Sequence, residues 1–404
     1  MRRRILLITL LSSLPAVSIA HAQSLRVGAS AIGLATHVDP IVRGESRNSA
    51  YLTQPVVMLN ASAYDGALSL LGMLNFEGLT IPNGELAAGM WGEGFADKRH
   101  PHTYLHELVG TAAIRRGSVR ASVSAGRGFP PFGTDDPMSR PFVRFPVNHH
   151  LAQVPERLIG VAALAVGPLT VEGGLFNGDE PTGTTSLGEL DRFGDSWTAR
   201  ITLRPAAGLE LQGSYATVES PEVPFGGGPD QRKWSGSARW DGVLGAFETY
   251  ALAEWARTTD YDDDFALYGF RAWLIEVSAG RERWTGALRY EDATRPEEER
   301  LSNPFRTVRV HNDLHLLGVT RWRNVTLHAG YNVGPDRLRF VPFTEIGLSR
   351  VVDTIGGLFE PKQFFGDDVI TTLSAGVRIG VGHTHERMGR YGAALPAPSM
   401  HAGH

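Results

Sequence analysis

Trp197-Thr198-Ala199-Arg200-Ile201-Thr202-Leu203-Arg204 alternates without a break between residues that avoid water and residues that seek it. In an extended chain successive side chains point to opposite faces. Trp197, Ala199, Ile201 and Leu203 therefore share one face, and Thr198, Arg200, Thr202 and Arg204 the other. Such a strand separates an apolar phase from a wet one. The pattern recurs with Trp234, Gly236, Ala238 and Trp240 set against Lys233, Ser235, Ser237 and Arg239. It recurs again with Trp284, Gly286, Leu288 and Tyr290 against Thr285, Ala287, Arg289 and Glu291. Val325 to Val333 repeats it, and Val369, Thr371, Leu373, Ala375, Val377 and Ile379 enclose Ile370, Thr372, Ser374, Gly376 and Arg378.

Several neighbouring segments are joined by tight turn chemistry: Asp65-Gly66, Arg116-Gly117, Gly167-Pro168, Ala207-Gly208 and Gly245. Others are joined by long polar stretches at 179–195, 220–232, 259–264 and 294–308. Short turns on one side and long loops on the other describe an antiparallel transmembrane β-barrel, with the turns in the periplasm. The segments can be laid out as seventeen, the pair 309–322 and 324–334 among them. Single-chain bacterial barrels have an even count, so an all-β, closed antiparallel barrel of about sixteen strands is expected, within a range of 14–18. Trp197, Trp234, Trp240, Trp255, Trp284, Tyr290 and Trp322 fall near strand ends, where an interfacial girdle belongs.

The rest of the chain agrees with export to an outer membrane. Residues 1–22 begin Met-Arg-Arg-Arg, continue through the apolar run Ile5–Leu14 and end Ala20-His21-Ala22, which reads as a cleaved secretory signal peptide. The barrel is expected over 23–382. Residues 383–404 lack any periodicity and read as a flexible tail. There is no cysteine, so neither disulfides nor thiolate chemistry enter. With 39 Lys+Arg against 43 Asp+Glu, no excess of positive charge argues for nucleic acid as a partner. After residue 22 no apolar run is long enough for a transmembrane helix.

One region carries a family likeness. It reads Gly128-Phe129-Pro130-Pro131-Phe132-Gly133, then Thr134-Asp135-Asp136-Pro137-Met138, then Val154-Pro155-Glu156-Arg157, and after a strand pair Gly174-Leu175-Phe176-Asn177-Gly178-Asp179. This run of residues 128–179 resembles the phosphate-selective porin (porin O and P) family. The resemblance implies sixteen strands, a homotrimer, and anions drawn past Arg and Lys in the lumen. The chain departs from it in having Lys only at Lys98, Lys233 and Lys362. By alternation the pore-lining candidates are Arg120, Arg200, Arg204, Arg239, Arg289 and Arg378, with Glu172, Glu210 and Glu291 among them. Charges of both signs suggest a weakly selective pore. Pro130, Pro131, Pro137, Pro141, Pro146 and Pro155 stiffen loop 128–156, which can fold inward as a constriction. Asp135, Asp136, Arg140 and Arg144 would then stand at its narrowest point.

The function these features point to is passive diffusion of small hydrophilic solutes or ions through an outer-membrane porin-like channel. Outer-membrane lipid and lipopolysaccharide would surround it. Two other readings remain. His100, His102 and His106, with a tail holding His383, His385, Met388, Met400, His401 and His404, would suit a Cu- or Zn-handling barrel. A large soluble exported β-protein would also show alternating strands. No Gly-x-Ser-x-Gly elbow and no His-Glu-x-x-His occurs, so no enzyme is expected and no cofactor is called for.

Overall fold

The computed structural model describes residues 23–81, 103–147, 149–223, 225–298, 316–335, 338–357, 360–382 and 387–395. The expected signal peptide, His100 and His102 lie outside them. The first eight strands are β1 (Ser24–Val42), β2 (Glu45–Ala63), β3 (Leu68–Asn75), β4 (Leu105–Arg116), β5 (Val119–Gly128), β6 (Arg157–Val166), β7 (Leu169–Phe176) and β8 (Ser196–Ala206). The remaining eight are β9 (Leu209–Val218), β10 (Asp230–Leu244), β11 (Phe247–Asp262), β12 (Phe265–Arg281), β13 (Trp284–Glu298), β14 (Leu316–Tyr331), β15 (Leu338–Gly357) and β16 (Val369–Gly382). Each pairs with its sequence neighbours, and β1 pairs with β16, so the sheet closes on itself. The closing seam is antiparallel and runs from Gly28 opposite Gly382 to Asp39 opposite Thr371. Closure leaves no edge strand unpaired, the condition for a sheet in hydrocarbon.

Both ends of the barrel sequence, Ser24 and Gly382, lie at the end that carries the tight turns between β4 and β5, β6 and β7, β8 and β9, and β10 and β11. The opposite end carries the long connections after β3, β5, β7 and β9. The two faces differ as the alternation requires: Ile201 is 55% exposed on the outside, while its neighbour Arg200 is 1% exposed on the inside. Leu164, Val171, Leu175, Leu211, Ile275, Leu288, Leu348 and Ile379 are likewise exposed on the outer face. A soluble protein does not leave so large an apolar belt in water. The soluble reading is set aside on that ground.

Outside, the aromatics gather in contact groups. Trp197, Tyr215 and Trp234 stand in series with ring centroids 5.3 and 4.4 Å apart, and Trp255 faces Trp273 at 6.3 Å. Near the turn end Trp284 packs on Tyr331 at 4.6 Å. Trp322 is the exception to the expected girdle. The alternation of β14 runs unbroken through Thr320, Trp322, Asn324 and Thr326, all buried, so the indole points inward, packed with Val38, Ile41, Phe365 and Ile370. From Leu316 to Tyr331 the two segments expected at 309–322 and 324–334 form one strand, β14, while residues 309–315 lie outside the described residues. Arg321 and Arg323 both reach Asp292 across the outer face, at 2.6 and 3.1 Å.

Candidate functional site: the filled lumen

Residues 129–156 leave β5 and touch the inner wall nearly all the way round. Thr198 of β8 donates to the Pro131 carbonyl (2.9 Å), and Val147 N donates to Glu291 of β13 (2.7 Å). Val143 N donates to Glu345 of β15 (3.0 Å), and Val143 packs with Ile32 and Leu34 of β1. A loop that meets β1, β8, β13 and β15 from one side can only lie inside the barrel. Its turn at Gly133 needs a positive φ (+70°), and a Cβ there would lie 1.8 Å from the Ala152 carbonyl oxygen. The hydrophobic clusters of the structure sit mainly where this loop meets the wall, through Phe132, Val154, Val147 and Leu151.

The nine residues expected to line the lumen all lie on the enclosed face. Arg200 grips Glu172 with two parallel hydrogen bonds, 2.6 and 2.7 Å, the strong fork-to-carboxylate geometry. Arg204 pairs with Glu210 at 2.9 Å. Arg239 pairs with Asp135 and, at 2.5 Å, with Asp241. Arg289 pairs with Glu276 at 2.7 Å and stacks over Phe142. Arg378 donates to the Phe142 carbonyl (3.3 Å), and Arg120 to the Leu395 carbonyl (3.2 Å).

The four loop charges are buried with them. Asp136 caps the turn by accepting from Met138 N and is held by Gln153. Arg140 lies between Glu254 and Glu276, at 3.5 and 3.6 Å. Arg144 donates to Ser374 at 2.9 Å and lies 3.8 Å from Glu345. Glu254, Glu276 and Glu345 were not among the expected residues, although alternation with Trp255, Ile275 and Ile346 placed them on the inner face. His106 faces Glu156 at 3.3 Å and the edge of Phe129. Among the described residues no group of three or more His, Asp or Glu is arranged to hold a metal.

Of residues 387–395 the sequence singled out only Met388, in a metal-suited tail, and the structure packs it with Val56, Met58, Met73 and Phe129. The segment was expected to be flexible, yet it is seated in the lumen against β4–β9 and loop 129–156. Arg387 meets Asp135 (2.6 Å) and Glu210 (2.8 Å). Arg390 donates to Glu210 and Thr202, each at 2.9 Å, and lies 3.7 and 3.8 Å from Asp135 and Glu172. The Tyr391 hydroxyl donates to Glu107 and accepts from Phe129 N, both at 2.8 Å. Backbone carbonyls of Gly389 and Ala394 accept from Arg200 and Arg204, and Ala393 N donates to Ser122. Gly392 lies so close to the wall that a Cβ would come within 2.4 Å of the Ser122 hydroxyl. The segment has no strand pattern because its polar groups are spent on the wall, not on a ladder.

Charge tuning follows from this enclosure. Burial opposes ionisation of Asp135, but the guanidinium groups of Arg387, Arg239 and Arg390 outweigh it and hold its carboxyl well below the usual range. Burial and the nearby Arg200 bring Arg390 down to about 10, which leaves it cationic at neutral pH.

No protein-family model matches the chain, and no curated protein matches it in sequence. Solved structures do resemble it. An anion-selective porin from Comamonas acidovorans superposes with a TM-score of 0.52 at 12% identity, over 88% of this chain and 99% of that one. A loop-L8 deletion mutant of OmpT, an outer-membrane protein of Vibrio cholerae, gives 0.49 at 9% identity, over 88% and 99%. OccK5 of Pseudomonas aeruginosa gives 0.42 at 13%, over 90% and 99%. At such identities the likeness is one of fold, and the first of them agrees with the closed β-barrel described above.

Proposed function

We propose that this protein is an outer-membrane channel through which small hydrophilic solutes or ions diffuse passively. One observation carries the reading: a closed sixteen-strand barrel with an apolar outside encloses a wall of paired charges, narrowed by a loop folded inward. Apolar side chains on the outside meet lipid, and charged ones inside hold water and interact with passing ions. The turn end, which carries both ends of the barrel sequence, faces the periplasm. The inward candidates Arg120, Arg200, Arg204, Arg239, Arg289, Arg378, Glu172, Glu210 and Glu291, with Asp135, Asp136, Arg140 and Arg144 on the loop, set size and sign preference.

The finer reading is kinship with the phosphate-selective porins, assembled as a homotrimer in a lipopolysaccharide-containing leaflet. The motif run at 128–179 supports it, and the scarcity of lysine argues against strict phosphate selection. The metal-handling alternative draws no support from His106, whose ring is engaged with Glu156 and Phe129. Purified protein added to a planar lipid bilayer in KCl should give stepwise conductance increments. Folded barrels that insert without any conductance would overturn the channel reading. Native gel or cross-linking analysis should show three copies for the trimer, and a monomer would overturn that part.

A further inference from the structure

The C-terminal segment brings two guanidinium groups to a stretch of wall and loop whose own charges are already paired. Glu172 has Arg200, Glu210 has Arg204, and Asp135 and Asp241 share Arg239. Without the segment, these three separate clusters together hold four carboxylates and three guanidinium groups, one charge negative. Arg387 and Arg390 link them into one network through Asp135, Glu210 and Glu172. Four carboxylates then face five guanidinium groups, one charge positive. The sign of the local charge is reversed by a piece of chain that belongs to neither the barrel wall nor the constriction loop.

We infer that Arg387 and Arg390 are ion-selectivity determinants, carried into the lumen on the C-terminal segment to tilt the channel toward anions. The inference rests on the channel reading above. Charged rings in a confined aqueous passage act on ions through a field that bulk water would screen, so one or two net charges change the relative permeability of opposite ions. The segment is well placed for this. Tyr391 anchors it to Glu107 and Phe129, and Arg200, Arg204 and Arg120 hold its carbonyls along the wall. The two arginines are thereby fixed inside the barrel beside Asp135, the constriction-loop residue that both meet.

The test is the zero-current potential of the full-length protein in a planar bilayer under a KCl gradient. R387Q/R390Q should lower the chloride-to-potassium permeability ratio by about twofold or more, and R387K/R390K should restore it. Heat-modifiable gel migration reports whether each variant is a folded barrel. If the double glutamine variant does not fold, truncation after Gly382 removes the same two charges and should move the potential in the same direction. A conducting variant with an unchanged potential overturns this inference and leaves the channel standing. No conductance from any folded form, the unaltered protein included, overturns the channel reading itself.

Discussion

Tyr391 shows how one side chain can seat a whole segment. Its hydroxyl accepts from Phe129 N and donates to buried Glu107. Replacing it by Phe keeps the ring and removes both hydrogen bonds, and stranding buried partners costs about 1–3 kcal/mol. Because the chain has no cysteine, L395C offers a single labelling site near the segment's end. A spin label there should be immobile in the unaltered protein and gain a mobile component with Tyr391→Phe. Asp135 makes a second residue-level prediction, about pH. Its folded carboxyl is depressed, so its stabilising contribution is complete above the unfolded value of about 3.9 and is lost only as pH falls through the lower folded value. The label should stay immobile from pH 7 to about pH 4. Release already at pH 5 to 6 would contradict the pairing with Arg387, Arg239 and Arg390.

At the scale of the element, β14 and loop 129–156 carry the lessons. Trp322 fills an inner pocket with Phe365, ring centroids 5.4 Å apart, whereas Trp284 sits on the outer face. Trp322→Ala should cost about 3–5 kcal/mol in urea unfolding from lipid vesicles. Trp284→Ala should cost clearly less, since the outer site can refill with lipid. Removing the loop should raise single-channel conductance, because the loop occupies cross-section from β1 to β15; an unchanged conductance would mean that it narrows nothing. The strands were legible because alternation is local: the eight residues from Trp197 to Arg204 sort themselves without knowledge of their neighbours. Trp322 could have been placed inside by the parity it shares with Asn324 and Thr326; the register shift opposite it could not, since an irregularity in a ladder is defined only by the partner strand. The seat of residues 387–395 was equally hidden. Arg390 and Tyr391 find Glu210 and Glu107, partners 180 and 284 positions away, and no periodicity announces contacts of that range. Glu254, Glu276 and Glu345 could have been found by the same alternation that found Glu172.

For the molecule as a whole, the seam between β1 and β16 decides whether there is a barrel at all. At Gly376 a Cβ would stand 2.3 Å from the Gly33 carbonyl oxygen and 2.9 Å from the Leu34 Cα, backbone that cannot swing aside. Gly376→Leu should therefore prevent closure. The expected readout is loss of the compact, heat-modifiable band on unboiled gels, with the protein left sensitive to added protease. The same substitution at Gly173, whose Cβ position meets nothing within 4 Å, should leave that band in place.

The segment that fills the lumen follows β16 in the chain, and this has a consequence for how the molecule is made. Its seat is built from β4, β5, β7, β8 and β9 together with loop 129–156. It cannot be lodged before those strands and the loop stand together, and once lodged it ties residues that follow β16 to strands far from them in the sequence. Chain order thus makes the segment a keystone: the passage takes its final width and charge only after the wall around it is complete.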